Sequence, residues 1–303
     1  MKRFLIKILS YFLLLSALWV LIVGSIYYKI NYNSSFYKIN NSINKIILGD
    51  SHVETSINDK ILKNSLNIST SADNYYYSWL KLKKLIKHNK QIDTLILSYS
   101  FHNLSKKMEE RWLYNPQHFA NRYPKTFYLI EREDFFELFI FLKKMPFTFL
   151  SENMILPKII LKKSFVNNVL KMNIGGFVFW KKNNIEHLNK QVVFAIKSQG
   201  IRNFKVSEKE KEYLLKIVSF CKNNKVEMIL VNTPIHPKLY SAYPPKVTKL
   251  YYNFYHKYLK DYKLLDYSQF KLDNSCFKDC SHLNGKGSDL FTKELVNRLY
   301  EKY

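Results

Sequence analysis

Ile46-Ile47-Leu48-Gly49-Asp50-Ser51-His52 is the stretch from which the fold is read. An apolar run ending in Gly-Asp-Ser has the pattern of a buried strand that turns sharply and leaves a serine at the carboxyl edge of a sheet. Open α/β sheets place their chemistry at that edge. Near the other end of the chain stands Asp279-Cys280-Ser281-His282-Leu283-Asn284. A serine hydroxyl is a weak nucleophile until a histidine takes its proton, and the histidine needs a third group to fix its tautomer and stabilise its cation. An Asp-x-x-His supplies both. Ser51, His282 and Asp279 are therefore the candidate nucleophile, base and orienting carboxylate.

Outward from these blocks the chain alternates between short apolar runs and amphipathic stretches. Ile43 to Leu48 reads as the first strand and Ser65 to Ser69 as a short second one. Asp93 to Ser98 and Val226 to Val231 read as continuous apolar strands, and Leu264-Leu265 begins a last, shorter one. Tyr75 to Asn89 reads as a helix with Leu80, Leu82, Leu85 and Ile86 inside and Lys81, Lys83, Lys84 and Lys87 outside. Further helices are expected over about 207–223, 245–261 and 285–303. Continuous apolar strands separated by helices indicate an α/β protein with a mostly parallel sheet covered on both faces. Residues 104–205 break the rhythm with aromatics, four prolines (Pro116, Pro124, Pro146 and Pro157) and apolar runs such as 135–142. They are expected to form a helical insertion, a lid or docking surface over the serine.

Lys2, Arg3 and Lys7 precede an uncharged run from Ile8 to Tyr28. At 1.5 Å per residue, a run of this length crosses the roughly 30 Å of a bilayer's hydrocarbon. Trp19, Tyr27 and Tyr28 suit the interfaces. The competing reading is a cleaved signal peptide, and Val23-Gly24-Ser25 matches a cleavage site poorly. The expected organisation is a transmembrane signal-anchor over 1–28, a polar linker over 29–42 and one α/β domain over 43–303. The anchor implies a single pass through the inner (cytoplasmic) membrane with the domain extracytoplasmic, and the lipid bilayer as a partner.

Net charge is +24. A chain this basic suits nucleic acid, anionic lipid or acidic glycan. No nucleic-acid motif is present, and Arg is too scattered to read bases. Richness in Lys, Asn, Ile and Tyr also fits translation of an AT-rich genome. The three cysteines are Cys221, Cys276 and Cys280. None makes a Cys-x-x-Cys and the histidines are scattered, so no metal and no cofactor is expected. Cys276 and Cys280 flank Asp279 closely enough for a disulfide in an oxidising compartment; free thiols are the alternative.

Gly49-Asp50-Ser51 followed at long range by Asp279-x-x-His282 resembles the SGNH/GDSL hydrolase superfamily. The resemblance covers about 43–303 in outline and is specific in the two end blocks. It implies a flavodoxin-like three-layer sandwich and a Ser51–His282–Asp279 triad. It implies an oxyanion hole from the Ser51 N–H, a second-block glycine and a third-block asparagine. Here the second block, 69–74, lacks the glycine, leaving the Ala72 N–H as donor. The third, 98–103, lacks Gly-x-Asn-Asp, leaving Asn103 as donor or as a turn-stabilising side chain. Asp50 is expected to bond nearby backbone N–H groups. His52 is too close in sequence to serve Ser51 as base. His52, His102 and His236 are expected in structural or substrate-facing roles. The implied activity is O-acyl transfer or deacylation on a surface glycan, wall polymer or polyol, beside a multi-spanning membrane acyltransferase. The alternative is a non-catalytic glycan-binding or scaffold subunit.

Overall fold

Gly49 sits where the sequence needs no side chain. A Cβ there would meet the Ser98 Cβ at 2.4 Å, so two neighbouring strands can close up just where the chain leaves the sheet. The computed structural model, which describes residues 2–32, 34–115, 117–119, 122, 126–143 and 174–300, builds outward from that contact. Five parallel strands, β1 (Lys45–Leu48), β2 (Ser65–Asn67), β3 (Thr94–Ser98), β4 (Glu227–Asn232) and β5 (Lys263–Asp266), lie in the order β2-β1-β3-β4-β5. Ile46 pairs with Leu66 on one side and Leu95 on the other. The order reverses beside β1, and ligands of open α/β sheets bind at such a switch point. Ser51 follows β1 there.

The period of two in a strand sends alternate side chains to opposite faces. Ile46, Leu48, Leu95, Leu97 and Leu230 enter one core; Ile47, Ile96, Ile229, Val231 and Leu265 enter the other. Helices α3 (Tyr75–His88), α6 (Glu208–Asn223) and α7 (Pro245–Tyr258) cover the first. The short α2 (Ser51–Ser56) and the last helix, α8 (Gly285–Tyr300), cover the second through Val53, Phe291 and Leu295. The result is the flavodoxin-like three-layer sandwich. Ile47 is fully buried, and truncating such a residue to alanine costs roughly 2–5 kcal/mol.

One helix face departs from expectation. Lys81, Lys83 and Lys84 of α3 are buried rather than outside, while Lys87 is exposed. Carboxylates make this tolerable, because a buried charge is costly unless paired. Lys81 meets Asp73, Lys83 meets Asp134 at 2.6 Å, and Lys84 meets Glu131 at 2.9 Å. Glu131 and Asp134 come from the 104–205 insertion, which folds back over α3.

Of that insertion, the described part holds short turns, α4 (Phe135–Lys143) and α5 (Leu188–Ser198). Pro116, Pro124, Pro146 and Pro157 lie outside the described residues. At the N-terminus α1 (Lys2–Tyr32) is a 31-residue helix. Its Arg3–Ile22 segment has a mean hydropathy of 2.3 and none of it is buried. It is long and apolar enough to cross a membrane. Tyr37 of the polar linker is fully buried, its hydroxyl donating to the Tyr128 carbonyl at 2.6 Å.

Candidate active site

Asp50 caps α2 by accepting from the His52 N–H at 3.0 Å. An aspartate is suited to this position because it satisfies a donor the first helical turn leaves open. The cap places Ser51 on the first turn, facing a cavity of about 500 Å³. From the far end of the chain β6 (Phe277–Asp279) and β7 (His282–Leu283) form a two-stranded antiparallel hairpin with Asp279 opposite His282. Gly287 of α8 packs so tightly on this segment that a Cβ would meet the Cys276 carbonyl oxygen at 2.1 Å.

The hairpin brings three side chains into one line. His282 Nε2 lies 2.8 Å from Ser51 Oγ. His282 Nδ1 lies 2.8 and 3.0 Å from the two Asp279 oxygens. Asp279 also accepts from the Ser281 and His282 N–H groups at 2.9 and 3.0 Å. Burial pushes the Asp279 carboxyl up, but the His282 hydrogen bond and charge and the Ser281 N–H outweigh it and hold it at about 2. The carboxylate is therefore charged at neutral pH and fixes the proton on Nδ1, leaving Nε2 to accept from the serine.

A second aspartate–histidine pair lies next door. His102 Nε2 is 2.6 Å from Asp50 Oδ2. Burial opposes the charge on Asp50, yet His102 beside it holds the carboxyl well below its usual range. The His52 ring stands between the pairs, with centroids 4.4 Å from His102 and 4.9 Å from His282. Burial, reinforced by His102, holds His52 down at about 3, so it is neutral at physiological pH. His52 and His102 both line the cavity.

The remaining expected site residues sort themselves by contact. Ala72 lines the cavity and has φ of 66°, the left-handed conformation that favours glycine. Among the described residues, nothing accepts from the Ala72 or Ser51 N–H. The turn is clamped on all sides. Lys81 bonds the Ile68 carbonyl at 2.7 Å and Thr70 Oγ1 at 2.8 Å, Arg122 bonds the Ser71 carbonyl, and Ser71 bonds Glu54. Asn103 takes the turn-stabilising role rather than facing the cavity. It accepts from the Ser100 N–H at 2.6 Å and donates to Asp50 Oδ2 at 3.0 Å. His236 is an N-cap whose Nδ1 accepts from the Lys238 N–H and whose Nε2 meets Asn274 at 2.9 Å; it is not among the cavity-lining residues. Cys276 and Cys280 are free thiols. Their side chains enter different cores, Cys276 the one under α8 and Cys280 the other.

Sequence reading missed the cavity's far wall. Helix α5 turns Lys190, Gln191, Phe194, Ala195, Ser198 and Gln199 toward it. That spacing is one face of a helix, and it was the available signal. Arg111 and Trp112 join from a π-helical turn, Glu109–Leu113. Described residues of the insertion therefore line the same cavity as Ser51.

A protein-family model matches residues 180–303. No curated protein matches the sequence. Among solved structures, one similar chain is a GDSL-like lipase from Bacteroides thetaiotaomicron, 9% identical, over 90% of this chain and 98% of that one, with a TM-score of 0.36.

Proposed function

We propose that the chain performs serine-dependent ester chemistry, O-acyl transfer or deacylation, on a cell-surface glycan or wall polymer. The observation that carries the reading is the continuous hydrogen-bonded line Ser51–His282–Asp279 on the wall of an open cavity. Ser51 Oγ attacks the acyl carbonyl as His282 Nε2 takes its proton. Asp279 stabilises the imidazolium. The Ser51 and Ala72 N–H groups, both without an acceptor among the described residues, receive the oxyanion; such donors are worth roughly 10²–10³ in turnover each. The C–O bond to the leaving alcohol then breaks and His282 returns the proton to that oxygen. In the second half, water or a glycan hydroxyl gives its proton to His282 and takes the acyl group; the acyl carbon–Ser51 Oγ bond breaks, and His282 returns the proton to Ser51 Oγ. Helix α1 is the proposed anchor. It would make the chain a single-pass protein of the inner membrane with its domain extracytoplasmic, beside a multi-spanning acyltransferase that supplies acyl groups.

The test is active-site labelling. Intact protein in detergent should react with a fluorophosphonate, and Ser51→Ala should not. A folded sample that stays unlabelled would replace this reading with a non-catalytic glycan-binding subunit.

A further inference from the structure

Among the described residues, four charged side chains line the cavity around Ser51, and only the two acidic ones have an ionisable partner. Asp50 and Asp279 each hold a histidine. Arg111 and Lys190 have no acidic partner among the described residues. Nearby cations of the same insertion are paired: Lys106 with Glu109, Lys107 with Glu110, and Arg122 with Asp73. Arg111 is also not a freely hydrated surface charge. It is half-buried, and burial lowers its pKa. Its guanidinium lies over the Trp112 ring, 4.5 Å from the centroid, with Phe194 at 5.8 Å. Ring faces can hold the flat of a guanidinium while its N–H edge remains available. The buried Trp112 Nε1–H likewise donates to no described group. Lys190 stands one helical turn before Phe194 on the same α5 face.

We propose that this wall binds an oxyacid group, carboxylate or phosphate, carried by the substrate. Arg111 takes it in a two-pronged contact, Lys190 adds charge at the rim, and the exposed Phe194 receives the apolar face of the attached sugar or polyol. A partly desolvated cation without a counterion is costly in the empty site, and an incoming anion recovers that cost. The ligand class is an acidic glycan or a polyol phosphate. This deepens the ester reading, on which the words "substrate" and "acceptor" rest, but the binding claim is tested without turnover.

Intact protein in detergent is titrated by calorimetry, at fixed ionic strength, with sodium glucuronate and glycerol 1-phosphate against glucose and glycerol. The acids are expected to bind at least roughly tenfold more tightly than their neutral counterparts, a preference on the scale of charged hydrogen bonds. Rising salt should erode it. Arg111→Gln should abolish the preference, and Lys190→Gln should reduce it less. Arg111→Lys, which keeps the charge and loses the fork, should fall between and guards against a misfolded glutamine variant. Tighter glucuronate identifies the carboxylate source, and tighter glycerol 1-phosphate the phosphate source. Equal binding of acids and neutral compounds, or an acid preference that survives in folded Arg111→Gln, overturns the proposal. The same titration in Ser51→Ala keeps the two readings apart, since acid binding should persist there whether or not the wild type labels.

Discussion

Two aspartate–histidine pairs stand on either side of one ring, and they differ in what lies beyond the imidazole. His282 and Asp279 are 21% and 26% exposed, and the free nitrogen of His282 meets Ser51 Oγ. His102 and Asp50 are 2% and 4% exposed, and Asp50 also holds the His52 N–H and Asn103. The first pair has a serine hydroxyl and an open cavity; the second has a helix cap and a turn. A carboxylate beside a histidine is therefore not a site in itself. The third partner and the access of substrate make it one, and the same chemistry used inward braces the turn that presents Ser51.

The largest expected effect separates the pairs directly. His282→Ala removes the proposed base and should lower aryl-ester turnover by roughly 10²–10⁴ with little change in thermal midpoint. His102→Ala leaves the Asp50 carboxylate buried without its partner, which costs roughly 3–5 kcal/mol of stability. Thermal melts and initial rates on the two variants check this. A stable, inactive His102→Ala beside an active His282→Ala would exchange the two roles.

The pH dependence of stability sharpens the same contrast, because the inward pair is surrounded by groups held in their neutral forms. His52 is held at about 3 against an ordinary 6.5. Between those values the unfolded chain takes up the proton and the folded one does not, so stability falls as pH drops from about 6.5 toward 3. Glu210 acts in the opposite sense. It is buried, accepts from the Tyr75 N–H at 3.0 Å, and burial pushes it up to about 8 from 4.5, with Glu109 and Asp50 adding repulsion. Its contribution is present below 4.5 and is lost as pH rises through about 8. Glu210→Gln keeps the acceptor and removes the ionisation, so chemical denaturation should show it more stable than wild type at pH 9 and nearly equal at pH 4. A wild-type advantage at pH 9 would mean that the carboxylate is charged and paired in the fold.

The sheet was legible because its signal is local. Alternate residues of Ile46–Leu48 and Leu95–Leu97 face opposite cores, and continuous apolar runs record both. Ser51, Asp279 and His282 were legible as residue types at the ends of elements, although their distances follow only from the hairpin of β6 and β7. What escaped was set by tertiary contact. Lys83 and Lys84 looked like a solvated face because Glu131 and Asp134 arrive from some fifty residues away, and Lys81 because its partner Asp73 sits on the preceding turn, outside the helix. Arg111 and Trp112 belong to a stretch whose pattern says helix or turn and nothing of what it covers. The cysteines looked bridgeable by spacing alone, while the direction of each side chain was decided by the core it enters.

The smallest effect lies on the turn that faces the first pair. Ala72 has φ of 66°, where an L-residue costs roughly 1–2 kcal/mol. Glycine there removes that strain but returns about 0.4–1 kcal/mol of chain entropy to the unfolded state. Ala72→Gly should therefore stabilise by about 0 to 1.6 kcal/mol. Because Lys81, Arg122 and Glu54 clamp the turn from outside the residue, its N–H should stay in place and aryl-ester turnover should hold within about twofold, far inside the loss expected from removing an oxyanion donor. Gly49→Ala is the control in the other direction. Its Cβ would strike Ser98 at 2.4 Å, between the ends of β1 and β3 and under the Asp50 pair, so it should destabilise. Paired melts and initial rates decide the matter. If Ala72→Gly is no more stable but loses turnover by tenfold or more, the methyl group itself holds the turn in its donating shape, and the clamp around it is not sufficient.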